Sequence, residues 1–303
     1  MNKSEQLNMQ IPELDKAMEK LRQMTLLDDF LFDVVTENLE NCKIIIELSM
    51  GIRIRELRWR EGQKVIHNLP GMRGIRMDFY VEDMDGNIFN VEMQKRNEGN
   101  IPKRMRFYQA LLDAPLIQSG EKSFDNLNPT YIIIICDFDL YKQGLYRYTF
   151  ENRCIERPDI SMGDECTKIV LNTKGSNDNE VEKSLIEFLH YVANSSLSNL
   201  PDHCDERLKY LHNNLRQIKS DNQIGVNYMT VEERIRQIKE EGARRNIIEM
   251  VLKKMKRGKS LEVIADEVEE TVEFVQPIFN MIQKQGVDCD VQTIYELVYE
   301  AEN

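Results

Sequence analysis

Two runs of alternating residues joined by an Asp-Gly pair constrain the fold of this chain more than any other feature. In residues 75–81 the odd-numbered positions are apolar and the even-numbered ones polar, and residues 89–94 alternate in the same way. Alternation with a period of two is typical of a β-strand with one buried face. Asp85-Gly86 between two such strands is a strong hairpin signal. We therefore predict two half-buried strands in one antiparallel hairpin.

The length of the turn decides which side chains face each other across this hairpin. A two-residue turn places Asp78 opposite Met93, an apolar residue that belongs on the other face. A three-residue turn that ends at a left-handed Gly86 shifts the pairing by one residue and places Asp78 opposite Glu92. Only the second register keeps every apolar residue on one side, so we predict that register.

Two facing carboxylates repel each other unless a positive charge lies between them. A hard divalent cation such as Mg²⁺ would supply that charge, because it prefers carboxylate oxygens and keeps waters that a substrate phosphate can displace. The alternative is that Asp78 and Glu92 lie on a solvent-exposed face without a bound ion, as most acidic residues do. The strand pattern leaves both interpretations open.

The sequence around the hairpin resembles the PD-(D/E)XK nuclease superfamily and, within it, the recombination-promoting nuclease / putative transposase (Rpn) family. Beyond residues 74–94 the resemblance runs in one order through Asp28–Phe32, Asn100–Gln109, Tyr131–Phe138, Tyr148–Cys154 and Lys168–Gly175. It implies a restriction-endonuclease-like α/β core, with a mixed central sheet flanked by helices. It also implies Mg²⁺- or Mn²⁺-dependent cleavage of DNA, linked to recombination or transposition in a bacterial cytoplasm.

The resemblance assigns metal binding to Asp78 and Glu92 and places Gln94 at the third catalytic position, where the superfamily usually has Lys. Gln94, which the register places opposite Arg76, can hold a water or a phosphate oxygen but carries no charge. Lys95 points to the other face of a regular strand and replaces the Lys only if the strand ends or bulges there. The departure at Gln94 favours an alternative function, a weakened nuclease fold that acts as an accessory or binding protein.

A helix is predicted over residues 26–50, with Asp29, Asp33 and Glu37 spaced by four on one face. In the superfamily that the chain resembles, an acid of the first helix approaches the metal, so the resemblance offers Asp29 or Glu37 as a further ligand. The alternative is a solvated helix face.

The formal net charge of −12 argues against a protein that binds nucleic acid over its whole surface, so DNA binding requires local basic patches. Two such patches flank the hairpin: Arg53, Arg55, Arg58, Arg60 and Lys64 before it, and Lys95, Arg96, Lys103, Arg104 and Arg106 after it. A helix predicted from Pro102 to about Leu112 carries Arg104 and Tyr108 four residues apart, so both could face the site. The candidate DNA-binding residues are Lys95, Arg96, Lys103, Arg104 and Tyr108. A solvated charged surface is the alternative for each of them.

The remaining core elements follow from shorter patterns. A continuous apolar run at Tyr131–Cys136 predicts a central strand covered on both sides. Further strands are predicted at Tyr146–Phe150 and Thr167–Leu171, and helices at residues 180–192 and 202–220.

The composition changes near residue 229, so we predict a nuclease-like domain over residues 1–228 and a helical extension over residues 229–303. Residues 232–259 hold ten basic and five acidic residues and predict one long helix that ends near Gly258. Residues 260–303 hold eleven acids and one base and predict two short capped helices that resemble a degenerate helix-turn-helix. Because phosphate binding needs positive charge, we favour packing or partner binding, including a homodimer, over DNA reading there.

Composition places the chain among globular cytoplasmic proteins. It is 41% hydrophobic and 30% charged, which is enough for a large core and a soluble surface. The six cysteines form no C-x-x-C pair, and without a leader segment we expect reduced thiols. The longest apolar run, Ile132–Cys136, is too short to cross a membrane.

Overall fold

A computed structural model of the chain describes residues 3–59, 65–66, 75–76, 78–117, 123–195, 200 and 203–300, with backbone alone for residues 3–11, 65–66 and 75–76. The chain divides into two compact units, Met1–Val226 and Asn227–Asn303. All six cysteines are free thiols. Among the described residues, no helix has the length and apolar character needed to cross a membrane.

The strands are β1 (Leu57–Trp59), β2 (Val65–Ile66), β3 (Ile75–Arg76), β4 (Phe79–Asp83), β5 (Ile88–Gln94), β6 (Thr130–Cys136), β7 (Arg147–Phe150) and β8 (Cys166–Asn172). Six of them form one mixed sheet in the order β1-β4-β5-β6-β8-β7, and β2 pairs with β3 separately. The inner strands β5, β6 and β8 are parallel to one another. Strand β4 pairs antiparallel with β5, β1 pairs antiparallel with β4, and β7 pairs antiparallel with β8.

The helices of the first unit are α1 (Lys3–Gln23), α2 (Asp29–Val35), α3 (Leu39–Met50), α4 (Ile101–Asp113), α5 (Lys183–Ala193) and α6 (Glu206–Ser220). A long helix, α7 (Asn222–Met255), contains the division between the units. It is followed by α8 (Leu261–Glu267), α9 (Val272–Gln285), α10 (Val291–Tyr295) and one π-helical turn, Glu296–Glu300.

Helices cover both faces of the six-stranded sheet. Side chains such as Val91 and Ile133 pack with α1, α2, α3, α5 and α6 on one face, and Ile132 and Ile134 pack with α4 on the other. Successive residues of a strand point to opposite faces, so the continuous apolar run of β6 serves both cores. The predicted α/β fold, a mixed central sheet flanked by helices, is confirmed.

The β4–β5 hairpin has the predicted register, in which Phe79 pairs with Val91 and Tyr80 with Asn90. Its turn has three residues and ends at Gly86, whose φ of 85° lies in the left-handed region that favours glycine. Turn length and alternation, both local properties, were sufficient to fix this pairing.

The predicted strand over residues 75–81 is two strands, because β3 ends at Arg76 and β4 begins at Phe79. Arg76 pairs with Val65 in the small sheet, so the predicted pairing of Arg76 with Gln94 is wrong. The regular ladder stops at Asp78, where carboxylates replace backbone carbonyls as hydrogen-bond acceptors. Met77 lies outside the described residues.

The prediction that β5 is half-buried is also wrong. The strand is buried along its whole length, including the polar positions Asn90, Glu92 and Gln94. It lies between β4 and β6 inside the sheet, and α4 belongs to the core on the polar side of β5. A strand with a parallel neighbour is typically covered on both faces by helices.

The single helix predicted over residues 26–50 is interrupted between α2 and α3. The hydroxyl of Thr36 donates to the backbone oxygen of Phe32 at 2.8 Å where α2 ends. The side chain of Asn38 accepts from the backbone N–H of Glu40 at 2.8 Å and caps α3. Side chains of this kind compete with the helical hydrogen-bond pattern and favour helix ends.

The helices of the second unit pack around a core of their own, which includes Ile248, Val251, Ile278 and Ile294. Helix α9 is longer than the short capped helix that the sequence predicted, and it is capped by Thr271, whose hydroxyl accepts from the N–H of Phe274. The last turn of α7 is followed by Gly258 at a φ of 73°, close to the predicted end of the long helix.

Candidate active site

Asp78 and Glu92 lie side by side where β4 begins and β5 approaches its C-terminal end. The backbone N–H of Asp78 donates to Glu92 Oε1 at 3.3 Å, and the backbone N–H of Met93 donates to Asp78 Oδ2 at 2.9 Å. Each carboxylate is therefore fixed to the other residue's strand. These reciprocal bonds hold two like charges together, which is unfavourable unless something compensates for their repulsion.

Glu92 is buried, with 6% of its surface exposed. Burial and the adjacent Asp78 carboxylate raise the pKa of Glu92 to about 8, although a hydrogen bond from Asn90 and the positive charge of Arg104 favour its ionised form. The alternative of two acids on a solvated face is therefore wrong for Glu92, because the α4 side of β5 is buried. Asp78 is partly buried.

The carboxylate pair fits a hard divalent cation. Among the described residues no group of three or more His, Cys, Asp and Glu side chains is placed to hold a metal. A metal at Asp78 and Glu92 would thus complete its coordination with water and substrate oxygens, which is typical of Mg²⁺ and unlike a closed zinc site. Such an ion would also remove the repulsion that raises the pKa of Glu92.

Both ends of the Gln94 amide are occupied by protein groups. Arg104 Nη2 donates to Gln94 Oε1, and Gln94 Nε2 donates to the backbone oxygen of Arg96 at 2.6 Å. The Arg104 guanidinium, carried by α4, is close enough to Glu92 to lower its pKa. A positive charge therefore lies at the site even though position 94 carries none.

Tyr108 lies one helical turn after Arg104 and contacts the same site. Its side chain is buried and its hydroxyl hydrogen-bonds Glu92; burial and the Glu92 charge raise the pKa of the Tyr108 hydroxyl. The guanidinium of Arg104 lies 5.9 Å from the centre of the Tyr108 ring. The sequence grouped Tyr108 with the DNA-binding residues, whereas the structure places it against the carboxylate pair and away from the exposed surface.

Asn90 is a site residue that sequence analysis missed. It is fully buried on β5, and its Nδ2 donates to Glu92 Oε1 at 3.1 Å and to the backbone oxygen of Phe79 at 3.3 Å. An amide two residues before the candidate metal ligand Glu92, on the same strand face, was the available signal. Two buried atoms here, Asn90 Oδ1 and Arg104 Nε, have no hydrogen-bond partner among the protein atoms described. Buried polar atoms without partners often contact water or a ligand.

The remaining cations that follow the hairpin are exposed. Lys95 comes directly after β5, and its Nζ lies 2.8 Å from Asp28 Oδ1, next to α2. Because α2 packs on the sheet face opposite α4, Lys95 does not take the place of the missing Lys beside Glu92. Arg96, Lys103 and Arg106 are also exposed.

The predicted acidic helix face does not form. Asp29 is exposed in the first turn of α2, and Glu37 is exposed in the turn after this helix ends at Val35. The interruption after α2 separates Glu37 from the helix that carries Asp29 and Asp33. The face shared by all three acids, which suggested a further metal ligand, is therefore absent.

The basic patch before the hairpin is partly neutralised. Arg53 pairs with Glu47 at 3.3 Å and Arg58 pairs with Glu82 at 2.6 Å. Arg55 is exposed, whereas the predicted contributions of Arg60 and Lys64 lie outside the described residues.

The basic end of α7 is neutralised within the second unit. Lys254 and Lys259 both pair with Glu267 of α8, and Lys256 pairs with Asp288 at 3.0 Å. These ion pairs neutralise cations at the end of the basic helix, so the exposed cations near the hairpin are the better candidates for DNA contacts.

Residues 53–158 match the sequence model of the PD-(D/E)XK nuclease family transposase. The matched region contains the β4–β5 hairpin and α4, with Asp78, Glu92, Gln94 and Arg104. The resemblance predicted from the sequence is confirmed for this part of the chain. A search of curated proteins and a search of solved structures found no match.

Proposed function

We propose that this chain, which carries a PD-(D/E)XK nuclease family transposase region at residues 53–158, is a metal-dependent DNA endonuclease. The observation that carries the proposal is the carboxylate pair Asp78 and Glu92, held together by backbone hydrogen bonds inside the matched region. Two adjacent acids, one of them buried, are unfavourable in the absence of a cation, so their placement supports a role in metal binding.

In this proposal Asp78 and Glu92 hold Mg²⁺ or Mn²⁺, which when bound polarises the scissile phosphate and supplies an activated water. Asn90 and Tyr108 fix the orientation of Glu92 through their hydrogen bonds. Such positioning contributes to catalysis because reacting groups must be held in the productive geometry.

Arg104 provides the positive charge that stabilises the phosphate as negative charge develops in the transition state. Gln94 acts as a positioning residue, because its Oε1 accepts from Arg104 and its Nε2 is fixed by the backbone of Arg96. This role replaces the water-holding role that the sequence suggested for Gln94. Lys103, the exposed neighbour of Arg104, is a second candidate for contact with the phosphate backbone.

The DNA backbone follows the exposed cations near the hairpin and α4, namely Lys95, Arg96, Lys103 and Arg106. Contacts of this kind bind DNA without regard to sequence and depend strongly on salt. In this proposal, DNA binding belongs to the nuclease-like domain predicted over residues 1–228. The extension over residues 229–303 would contact protein.

A second function is favoured by the absence of a Lys at position 94. A nuclease fold with a weakened site, joined to an acidic helical unit with its own core, would serve as an accessory or binding protein. This alternative predicts DNA or protein binding without cleavage.

Incubation of supercoiled plasmid with the purified full chain tests the proposal. We expect nicked circles with Mg²⁺, no product with EDTA, and no product from Asp78→Asn. Asp85→Asn makes the same chemical change at an exposed turn position of the same hairpin and is expected to cut like the native protein. A native chain that binds plasmid but leaves it intact with Mg²⁺ and with Mn²⁺ would support the accessory function instead.

A further inference from the structure

Helix α7 carries an apolar stripe that lies outside the core of the second unit. Val231, Ile235 and Ile238 are 38%, 46% and 59% exposed, and Gly242 continues the stripe with open space around its Cα. Their spacing of four, three and four residues places them on one face, as in the seam of a coiled coil. The core of the unit uses residues farther along α7, from residue 247 onward.

The charged residues that border this stripe differ from those on the rest of α7. Away from the stripe, Arg236 pairs with Glu233 at 2.6 Å within the helix. On its borders, Arg234, Lys239 and Glu241 are exposed and make no ion pair with any part of the chain that the structure describes. An exposed apolar seam with bordering charges of both signs is the pattern by which paired helices select their partner and orientation.

We propose that the stripe is the contact surface of a homodimer in which the α7 helices of two copies pack antiparallel. When Ile235 of one copy packs against Ile238 of the second, Val231 lies against Gly242. The antiparallel seam thus has two central layers of isoleucine pairs and a valine facing a glycine at each end, and both copies contribute the same surface.

Charge complementarity selects this arrangement. With Ile235 against Ile238, Arg234 of one copy faces Glu241 of the second, and Glu232 faces Lys239. Two-fold symmetry repeats both attractive pairs. A parallel arrangement would instead bring Arg234 against Lys239 of the second copy, and like charges at that position disfavour pairing.

The seam is short, so the dimer is expected to be weak. It spans about two heptads, fewer than the three to four that characterise a lasting coiled coil. A seam of this length is expected to bury less than the roughly 1,200–2,000 Å² of a standard stable interface. Monomer and dimer should therefore exchange as the protein concentration changes.

Sedimentation equilibrium of the full chain over a concentration series tests the dimer. We expect the average mass to rise from the monomer value of 35.7 kDa toward twice that mass. Ile238→Asp should remain monomeric over the same range. Val263→Asp, the same kind of change at a position of α8 that is 46% exposed, should dimerise like the native chain. A native chain that stays monomeric, or an Ile238→Asp variant that dimerises normally, would overturn the proposal. The stripe would then be a candidate contact for a different protein.

Charge exchange tests the orientation. Arg234→Glu should weaken association by about tenfold, and adding Glu241→Arg to it should restore association to near the native level, because the attractive pair is rebuilt with its signs reversed. A parallel dimer predicts the opposite result for Arg234→Glu, namely stronger association through attraction to Lys239. That result would overturn the antiparallel register. The mass measurement does not depend on cleavage, so it stands apart from the proposed nuclease function.

Discussion

Glu92 shows how a single buried carboxylate can link metal binding to protonation. Burial, and secondarily the adjacent Asp78 carboxylate, raise the pKa of Glu92 to about 8, which favours its protonated form near neutral pH. A metal ligand must give up its proton, so binding of a cation at the proposed site would release a proton in this range. Arg104, Asn90 and Tyr108 then remain as the groups that orient and stabilise the ionised carboxylate.

Replacement of Glu92 by Gln should separate stability from activity. Between pH 4.5 and about 8, Glu92 binds more protons in the native protein than in the unfolded chain, so its contribution to the free energy of unfolding falls as pH rises through this window. Glu92→Gln removes that dependence and should be at least as stable as the native protein at pH 8 in EDTA, while plasmid nicking falls to background. Urea unfolding at pH 5 and pH 8 measures the first effect. A variant that is less stable at both pH values, or that still cuts, would contradict the assignment.

The pair of Arg104 and Gln94 gives a second prediction at the same scale. Arg104→Met should lower the cleavage rate about 10²-fold, as expected for loss of one group that stabilises transition-state charge. Gln94→Leu should have a smaller effect, and it should add little to Arg104→Met because Gln94 acts through Arg104. Lys103→Met, a change at the exposed neighbouring cation, is the control and should leave the rate nearly unchanged at saturating DNA. Fully additive losses would show that Gln94 acts independently.

At the scale of elements, the sequence predicted those features that depend on local patterns. Alternation and turn length were enough for the β4–β5 register, and a continuous apolar run was enough for β6. The burial of Glu92 was not predictable in this way, because it depends on α4 packing across the same face. The interruption between α2 and α3 depends on capping by Asn38, a signal that the apolar periodicity of residues 26–50 outweighed.

The bond between Gln94 and Arg104 belongs to the same class of unpredictable features. Sequence spacing suggested that Arg104 and Tyr108 share a helix face, but it did not show that Gln94 would be the acceptor for Arg104.

Helix α1 was not predicted at all, and its end is held by a contact that no local pattern reveals. This contact comes from Lys219 of α6.

Lys219 joins three segments of the first unit through backbone carbonyls. Its Nζ donates to the oxygens of Arg22 at 3.2 Å and Ser195 at 2.8 Å, and also to that of Met24. The side chain is almost completely buried, and this burial lowers the pKa of Lys219 to about 8. The three acceptors lie near the end of α1 and just after α5, so the contact fixes both elements to α6.

Lys219→Met should therefore lower the free energy of unfolding by about 1–3 kcal/mol, because it leaves buried carbonyls without a donor. Between pH 8 and 10 the unfolded chain binds more protons at Lys219 than the native state does, so native stability should rise relative to the variant. Chemical unfolding across this range measures the difference. Lys209→Met, at the surface of the same helix, serves as the control. A difference that shrinks as pH rises would contradict the contact.

At the scale of the whole molecule, opposite charges are separated along the chain and then partly paired. The formal net charge is −12, yet the segment after the hairpin and the end of α7 are both basic. Only the second of these is neutralised by acidic helices of its own unit. This distribution supports the proposal that DNA contacts belong to the first unit and that the acidic unit contacts protein.

Charge reversal distinguishes these two basic regions. In an Asp78→Asn background, Lys103→Glu should weaken DNA binding and flatten its dependence on salt, by about one unit of the logarithmic slope for each phosphate that the variant no longer binds. Arg257→Glu makes the same change at an exposed residue after α7 and should bind like the parent. Gel shifts over a salt series measure both effects. Weaker binding by Arg257→Glu alone would move the DNA site to the helical unit.

Asp78 and Glu92 are proposed to form a divalent-metal site together, and Mn²⁺ binding followed by electron paramagnetic resonance tests this most directly. Mn²⁺ prefers the same oxygen ligands as Mg²⁺, and its signal separates free from bound ion. The native chain is predicted to bind Mn²⁺ at one site, Asp78→Asn and Glu92→Gln to lose that site, and Asp85→Asn to keep it. Native-like binding by Asp78→Asn and Glu92→Gln, or no binding by the native chain, would contradict the claim.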